Sequence, residues 1–98
     1  MATAKRVLII DDDAELRREL ADLLHMHEQL DVREAGDGRS GLEKAAEGHV
    51  DLILLDVGLP DSDGRDLCRL MRKKGVKAPV IMLTAADTDA DAILGLDS

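Results

Sequence analysis

The residues of this sequence best suited to chemistry are aspartates at the ends of apolar runs. Val7-Leu8-Ile9-Ile10 leads into Asp11-Asp12-Asp13, and Leu52-Ile53-Leu54-Leu55 leads into Asp56, followed by Val57-Gly58-Leu59-Pro60. Side chains at the carboxyl ends of adjacent parallel strands point into one crevice. Carboxylates gathered there repel one another and need either protons or a hard cation between them. Mg²⁺ suits such a place because it prefers oxygen ligands, keeps several waters and usually takes only one or two carboxylates. A carboxylate beside it can accept a phosphoryl group covalently, and phosphoryl transfer asks mainly for positioning and charge neutralisation.

Each part also has a plainer reading. Asp11 and Asp12 could end a strand and cap the helix that follows, and an aspartate after an apolar run, such as Asp56, is common. The conjunction favours a site. Two strands deliver acids to one point, Thr84 ends a fourth strand beside them, and Gly58 and Pro60 form a loop whose backbone can approach a cation.

The elements that must position these groups alternate strand and helix. After the first strand, Leu16, Leu20, Leu23, Leu24 and His27 recur at helical spacing, with Asp12 and Glu15 placed like a capping box. Residues 30–35 alternate, with Leu30, Val32 and Glu34 on one face, as in a less buried edge strand. Gly36-Asp37-Gly38 is turn chemistry, and a second helix runs to about Glu47 with Leu42, Ala45 and Ala46 inward. The third strand ends at Asp56. A Gly/Pro/Asp loop leads to a third helix carrying Leu67, Leu70 and Met71, which Gly75 closes. Pro79 opens a fourth strand, 80–83, and Asp87 or Thr88 would cap a final helix with Ile93 and Leu94.

Strands separated by helices imply βαβ units and a parallel sheet. Right-handed crossovers, with the alternating strand at an edge, give the order 2-1-3-4 and a switch point between strands one and three. Asp11, Asp12 and Asp56 would meet there. The same handedness places helix one on one face and helices two, three and four on the other. Strands three and four are apolar on both faces, so half of the helix-one side lacks a partner.

Composition bounds the remainder. Ninety-eight residues make room for one small domain, and 45% apolar with 35% charged residues can bury a core. A net charge of −8 argues against nonspecific binding to nucleic acid or anionic lipid. The single cysteine, Cys68, allows no internal disulfide and suggests a reducing cytoplasm, and beside Leu67 it reads as a buried small hydrophobe or a boundary thiol. Four apolar residues before the first aspartate fit neither a signal peptide nor a membrane span. His25, His27 and His49 read as surface residues, Arg17, Arg18 and Arg33 as ordinary surface charges, and Asp87, Asp89 and Asp91 as a solvated helix start.

The segments VLIIDDD, LILLDVGLPDSDG and VIMLTA, in that order and spacing, resemble the receiver domain of two-component response regulators over essentially the whole chain. The resemblance implies a three-layer α/β fold, a doubly wound parallel sheet of the flavodoxin-like (CheY-like) kind. It implies that Asp56 is the phosphoacceptor, served by a sensor histidine kinase or a phosphotransfer protein. By the same resemblance Asp12 ligates Mg²⁺ directly, Asp11 acts mostly through water, and the Gly58 backbone carbonyl is a further ligand. Thr84 would be the switch hydroxyl, with Ala85 leaving access beside it, and Pro60 and Gly64 would shape the loop.

The sequence departs from that pattern at its end. Receivers continue into a fifth strand and helix, so residues 1–98 read as a receiver domain incomplete at the C-terminus. The family's phosphoryl-contacting lysine and its aromatic switch residue have no equivalent, and Lys73, Lys74 and Lys77 fall around the third helix and its exit. The absence of Phe, Tyr and Trp agrees with this reading. Exposed apolar surface and an open strand-four edge would invite a homodimer. An effector domain or output protein would lie downstream. Two other readings are an interaction fragment that accepts no phosphate and a haloacid-dehalogenase-type phosphatase. The latter wants an acid two residues after its nucleophile, where this chain has Gly58.

Overall fold

A computed structural model describes residues 5–28 and 30–83. Seven elements follow in order: β1 (Arg6–Ile10), α1 (Ala14–Glu28), β2 (Asp31–Ala35), α2 (Gly38–Glu47), β3 (Leu52–Asp56), α3 (Gly64–Lys73) and β4 (Val80–Leu83). All strand pairs are parallel and the sheet order is β2-β1-β3-β4, as the crossover argument requires. Thr84, Ala85 and the segment expected to form a final helix lie outside the described residues.

The strand period of two divides the core cleanly. Leu8, Ile10, Ala35, Ile53, Leu55, Val80 and Met82 face α2 and α3, packing with Ala45, Leu67, Cys68 and Met71. Val7 and Ile9 face α1 and pack with Ala21, Leu20, Leu24, Leu30 and Val32. Leu8, Ile9 and Ile10 are fully buried, and each such side chain contributes about 1.5–3 kcal/mol relative to exposure. β1 is thereby anchored on both faces, which makes its end a rigid place to mount acids. On the α1 side the cover is partial among the described residues. Leu16 and Leu23 of α1 are 40% and 51% exposed, and Ile81, on the same face of β4, is 36% exposed.

Local chemistry sets the helix ends. The Asp13 carboxylate accepts from the N–H groups of Glu15 and Leu16, both at 3.1 Å, so Asp13 caps α1 in place of the expected Asp12. Asp37 caps α2 by accepting from the Ser40 N–H at 2.8 Å. At the end of α3, Gly75 has φ +91 and its N–H donates to the Arg72 carbonyl, while the Val76 N–H donates to the Met71 carbonyl. This left-handed closure leaves Val76 packed in the same cluster as Met71. The inward faces are shifted from those expected. Ala46 and Leu70 are exposed, whereas Gly41 is buried; Cys68 is buried, in keeping with its place beside Leu67. Gly41 explains part of the shift. A Cβ there would lie 2.6 Å from Ile10 Cδ1, so α2 rides directly on β1 along that line.

Candidate functional site

Parallel ladders bring the ends of β1 and β3 side by side, with Ile10 in register with Leu55. The next residues on the two strands are Asp11 and Asp56. Asp11 prolongs the β1–β2 ladder, donating its N–H to the Ala35 carbonyl at 3.0 Å. Its side chain is buried and accepts from the Asp13 N–H at 2.9 Å. Asp13 is occupied by the helix cap, which leaves Asp12 exposed over the crevice. The expected convergence is present: carboxylate oxygens of Asp11, Asp12 and Asp56 all lie within 4.8 Å of one another.

Among the described residues, no lysine or arginine pairs with any of these three carboxylates. Two unit charges at that separation repel by about 3 kcal/mol at an effective dielectric near 20. Burial is the largest influence on Asp56 and holds its carboxyl above the ordinary carboxylate range. The Gly58 N–H, donated to Asp56 Oδ1 at 3.0 Å, pulls the other way, and the charges of Asp11 and Asp12 push it further up. Oxygens sharing one Mg²⁺ stand roughly 3–4 Å apart, so small side-chain rotations would close this set around a hard cation.

The loop after β3 is held from several directions. Leu59 is buried in the core, Gly58 forms an antiparallel bridge with Asp63, and the Gly64 N–H donates to the Val57 carbonyl at 3.0 Å. A Cβ on Gly64 would come within 2.8 Å of Val57 Cα and 3.1 Å of the Asp56 carbonyl oxygen. The start of α3 therefore sits against the acceptor strand at a distance only glycine permits. Pro60 is exposed on this loop.

Two supporting residues had no strong sequence signal. Arg17, read as a surface charge, donates from Nη1 to the Asp11 carbonyl at 2.6 Å and from Nε to Glu34 at 3.0 Å. Its side chain is only 19% exposed. It ties α1 and β2 to the backbone that carries the acids. Helical spacing placed Arg17 on α1 but not over the end of β2. Asp61 spans 23 positions to bond the first N–H groups of α2. Lys73, Lys74 and Lys77 lie at the far end of α3 and before β4, away from the acids. His25 and His49 are exposed, as expected. The His27 side chain and Thr84 lie outside the described residues.

Comparisons with known proteins agree with this geometry. Residues 7–98 match the family model described as the response regulator receiver domain. A curated relative is the alkaline phosphatase synthesis transcriptional regulatory protein SphR of Synechococcus elongatus, 38% identical over 103 residues, covering 96% of this chain. The chain spans 40% of the length of that relative. A CheY-like receiver domain protein from Methanospirillum hungatei superposes with a TM-score of 0.83 at 28% identity, covering 97% of this chain and 75% of the other. The receiver domain of the Francisella response regulator 1452 gives 0.81 at 30% identity, covering 94% and 75%. No helix among the described residues is long and apolar enough to cross a membrane. With its sheet order, its acid-lined switch point and these likenesses, the chain belongs to the response regulator receiver domain family.

Proposed function

We infer that this chain is the phosphoacceptor module of a two-component relay, with Asp56 taking the phosphoryl group. The observation that carries the reading is the approach of Asp11, Asp12 and Asp56 within 4.8 Å at the carboxyl edge of the sheet. Receivers are signalling phosphoacceptors rather than enzymes, and chemistry here is confined to the chain's own modification. An Asp56 carboxylate oxygen attacks phosphorus of a phosphohistidine on a sensor histidine kinase or phosphotransfer protein. The new O–P bond forms as the P–N bond breaks, and the departing imidazole nitrogen keeps the electron pair and takes a proton. Water later hydrolyses the acyl phosphate, returning the carboxylate and inorganic phosphate.

Mg²⁺, held by Asp11, Asp12, Asp56 and the Gly58 carbonyl, would supply neutralisation of the charge gathered there. Arg17 and Glu34 hold the Asp11 backbone, and Leu59 and Gly64 fix the turn beyond Asp56. Thr84 is the proposed switch hydroxyl, and the surface of the following helix is the proposed output face. The SphR relative is named as a transcriptional regulator, which supports a transcriptional output from an effector domain. The α1-side face of β3 and β4, where Ile81 is exposed, and the edge that β4 forms among the described residues are the proposed surfaces for self-association.

The test is intact-mass spectrometry after incubation with Mg²⁺ and a small phosphodonor. One phosphoryl adduct is expected on the native chain and none on Asp56→Ala. An adduct that persists on Asp56→Ala would overturn the assignment, as would its absence from a native chain that binds Mg²⁺.

A further inference from the structure

The loop between β3 and α3 is fastened at its outer side to a different element. Asp61 accepts from the N–H of Gly38 at 2.8 Å and from that of Arg39 at 3.2 Å, the first two residues of α2. The helix already has its own cap in Asp37, which serves Ser40. Two carboxylates thus divide the three leading N–H groups of one helix, donors that lack partners within the helix itself. The Gly38 N–H is the chief cause holding the Asp61 carboxyl below the ordinary range.

The fit on the helix side is equally close. A Cβ at Gly38 would stand 2.3 Å from Ser62 Oγ and 2.8 Å from Ser62 Cβ, so the loop fills the space a side chain would take. Three residues before Asp61, Gly58 bonds the acceptor carboxylate through its N–H. Leu59, between them, is buried. A short segment pinned at Gly58, Leu59 and Asp61 has little freedom left.

The geometry points to Asp61 as a positioning residue: by clasping the start of α2 it sets where Gly58 stands against Asp56 and a bound cation. This rests on the Mg²⁺ reading above for its metal readout, and the clasp itself is read separately. The experiment compares amide NMR spectra of the native chain, Asp61→Ala, Asp61→Asn, Gly38→Ala and, as the metal-site control, Asp12→Asn, each titrated with Mg²⁺. Gly38→Ala attacks the same contact from the opposite side and leaves the carboxylate in place. Unchanged β1 and β2 amide signals verify the fold in every variant.

In Asp61→Ala and Gly38→Ala the Gly58 amide signal should move and exchange faster, and the Mg²⁺ dissociation constant should rise about tenfold. Asp61→Asn, keeping one acceptor oxygen, should fall between. Changes confined to the Gly38 and Arg39 amides, with Gly58 still, would overturn the proposal by reducing Asp61 to a helix cap. A shifted Gly58 with native Mg²⁺ affinity would overturn it too. Should the native chain and Asp12→Asn respond to Mg²⁺ alike, the metal reading fails, and the Gly58 amide still decides the clasp.

Discussion

The two ends of β1 treat aspartate in opposite ways. At the amino end, Arg6 donates from Nε to Asp31 at 3.0 Å and from its backbone N–H to Asp51 at 2.8 Å. Arg33 adds a second contact to Asp31 at 3.2 Å, and His49 lies 3.0 Å from Asp51. Hydrogen bonds from Arg33 and Arg6 hold the Asp31 carboxyl below its usual range, and the Arg6 N–H does so for Asp51. At the carboxyl end, three acids converge without a basic partner among the described residues, and burial lifts Asp56. One end is matched and serves the fold. The other is left unmatched, and such an imbalance at the end of a rigid strand supports the proposed cation site.

This contrast can be tested by perturbing either end. The largest stability effect is expected from Gly64→Ala, since the added methyl meets Val57 Cα rather than a movable side-chain tip. A loss of about 1–3 kcal/mol in urea unfolding is expected, together with weaker Mg²⁺ binding. A neutral Gly64→Ala would mean that α3 can retreat from the acceptor strand at no cost.

A smaller effect with the opposite sign is expected from Asp56→Asn in metal-free buffer. A carboxyl whose folded pKa is raised contributes stability below its unfolded pKa, and that contribution is lost as pH rises through the raised value. At pH 7 the charged Asp56 therefore works against the fold. Asp56→Asn should raise the unfolding free energy measured in urea, by less than about 1 kcal/mol because the crevice is open to water. The gain should vanish as the medium is acidified below the ordinary carboxylate range. A destabilised Asp56→Asn at pH 7 would contradict the unmatched-charge account.

The smallest change is expected at the matched end. Asp31 has a lowered pKa, so its contribution is present above the unfolded value and is lost as pH falls through the folded one. Asp31→Asn should cost roughly 0.5 kcal/mol at pH 7, diminishing with salt, and leave phosphoryl uptake on Asp56 untouched. Loss of uptake in Asp31→Asn would break the division between the two ends.

Much of this was legible in the residues themselves. Apolar runs ending in aspartate located β1 and β3, and crossover handedness then placed Asp11, Asp12 and Asp56 at one switch point. Finer choices were not legible. Three consecutive aspartates follow β1, and only geometry decides that Asp13 caps α1 and leaves Asp12 to the crevice. Periodicity marks a helix face only to within a residue or so, and it placed Leu70 inward where the structure leaves it 46% exposed. The links from Arg17 to the Asp11 backbone and from Asp61 to α2 join separate elements, and no local pattern announces them.

The buried Cys68 has a practical consequence. It is 1% exposed beneath α3, in a chain that contains no Phe, Tyr or Trp. Intrinsic fluorescence is therefore silent, and the single thiol of the sequence serves as a chemical probe of the interior. A thiol reagent can reach it only when α3 lifts from the sheet, so its labelling rate measures the free energy of that opening. Compared with and without Mg²⁺, the rate would report how firmly events at the acceptor end hold down a helix whose first residue abuts Val57.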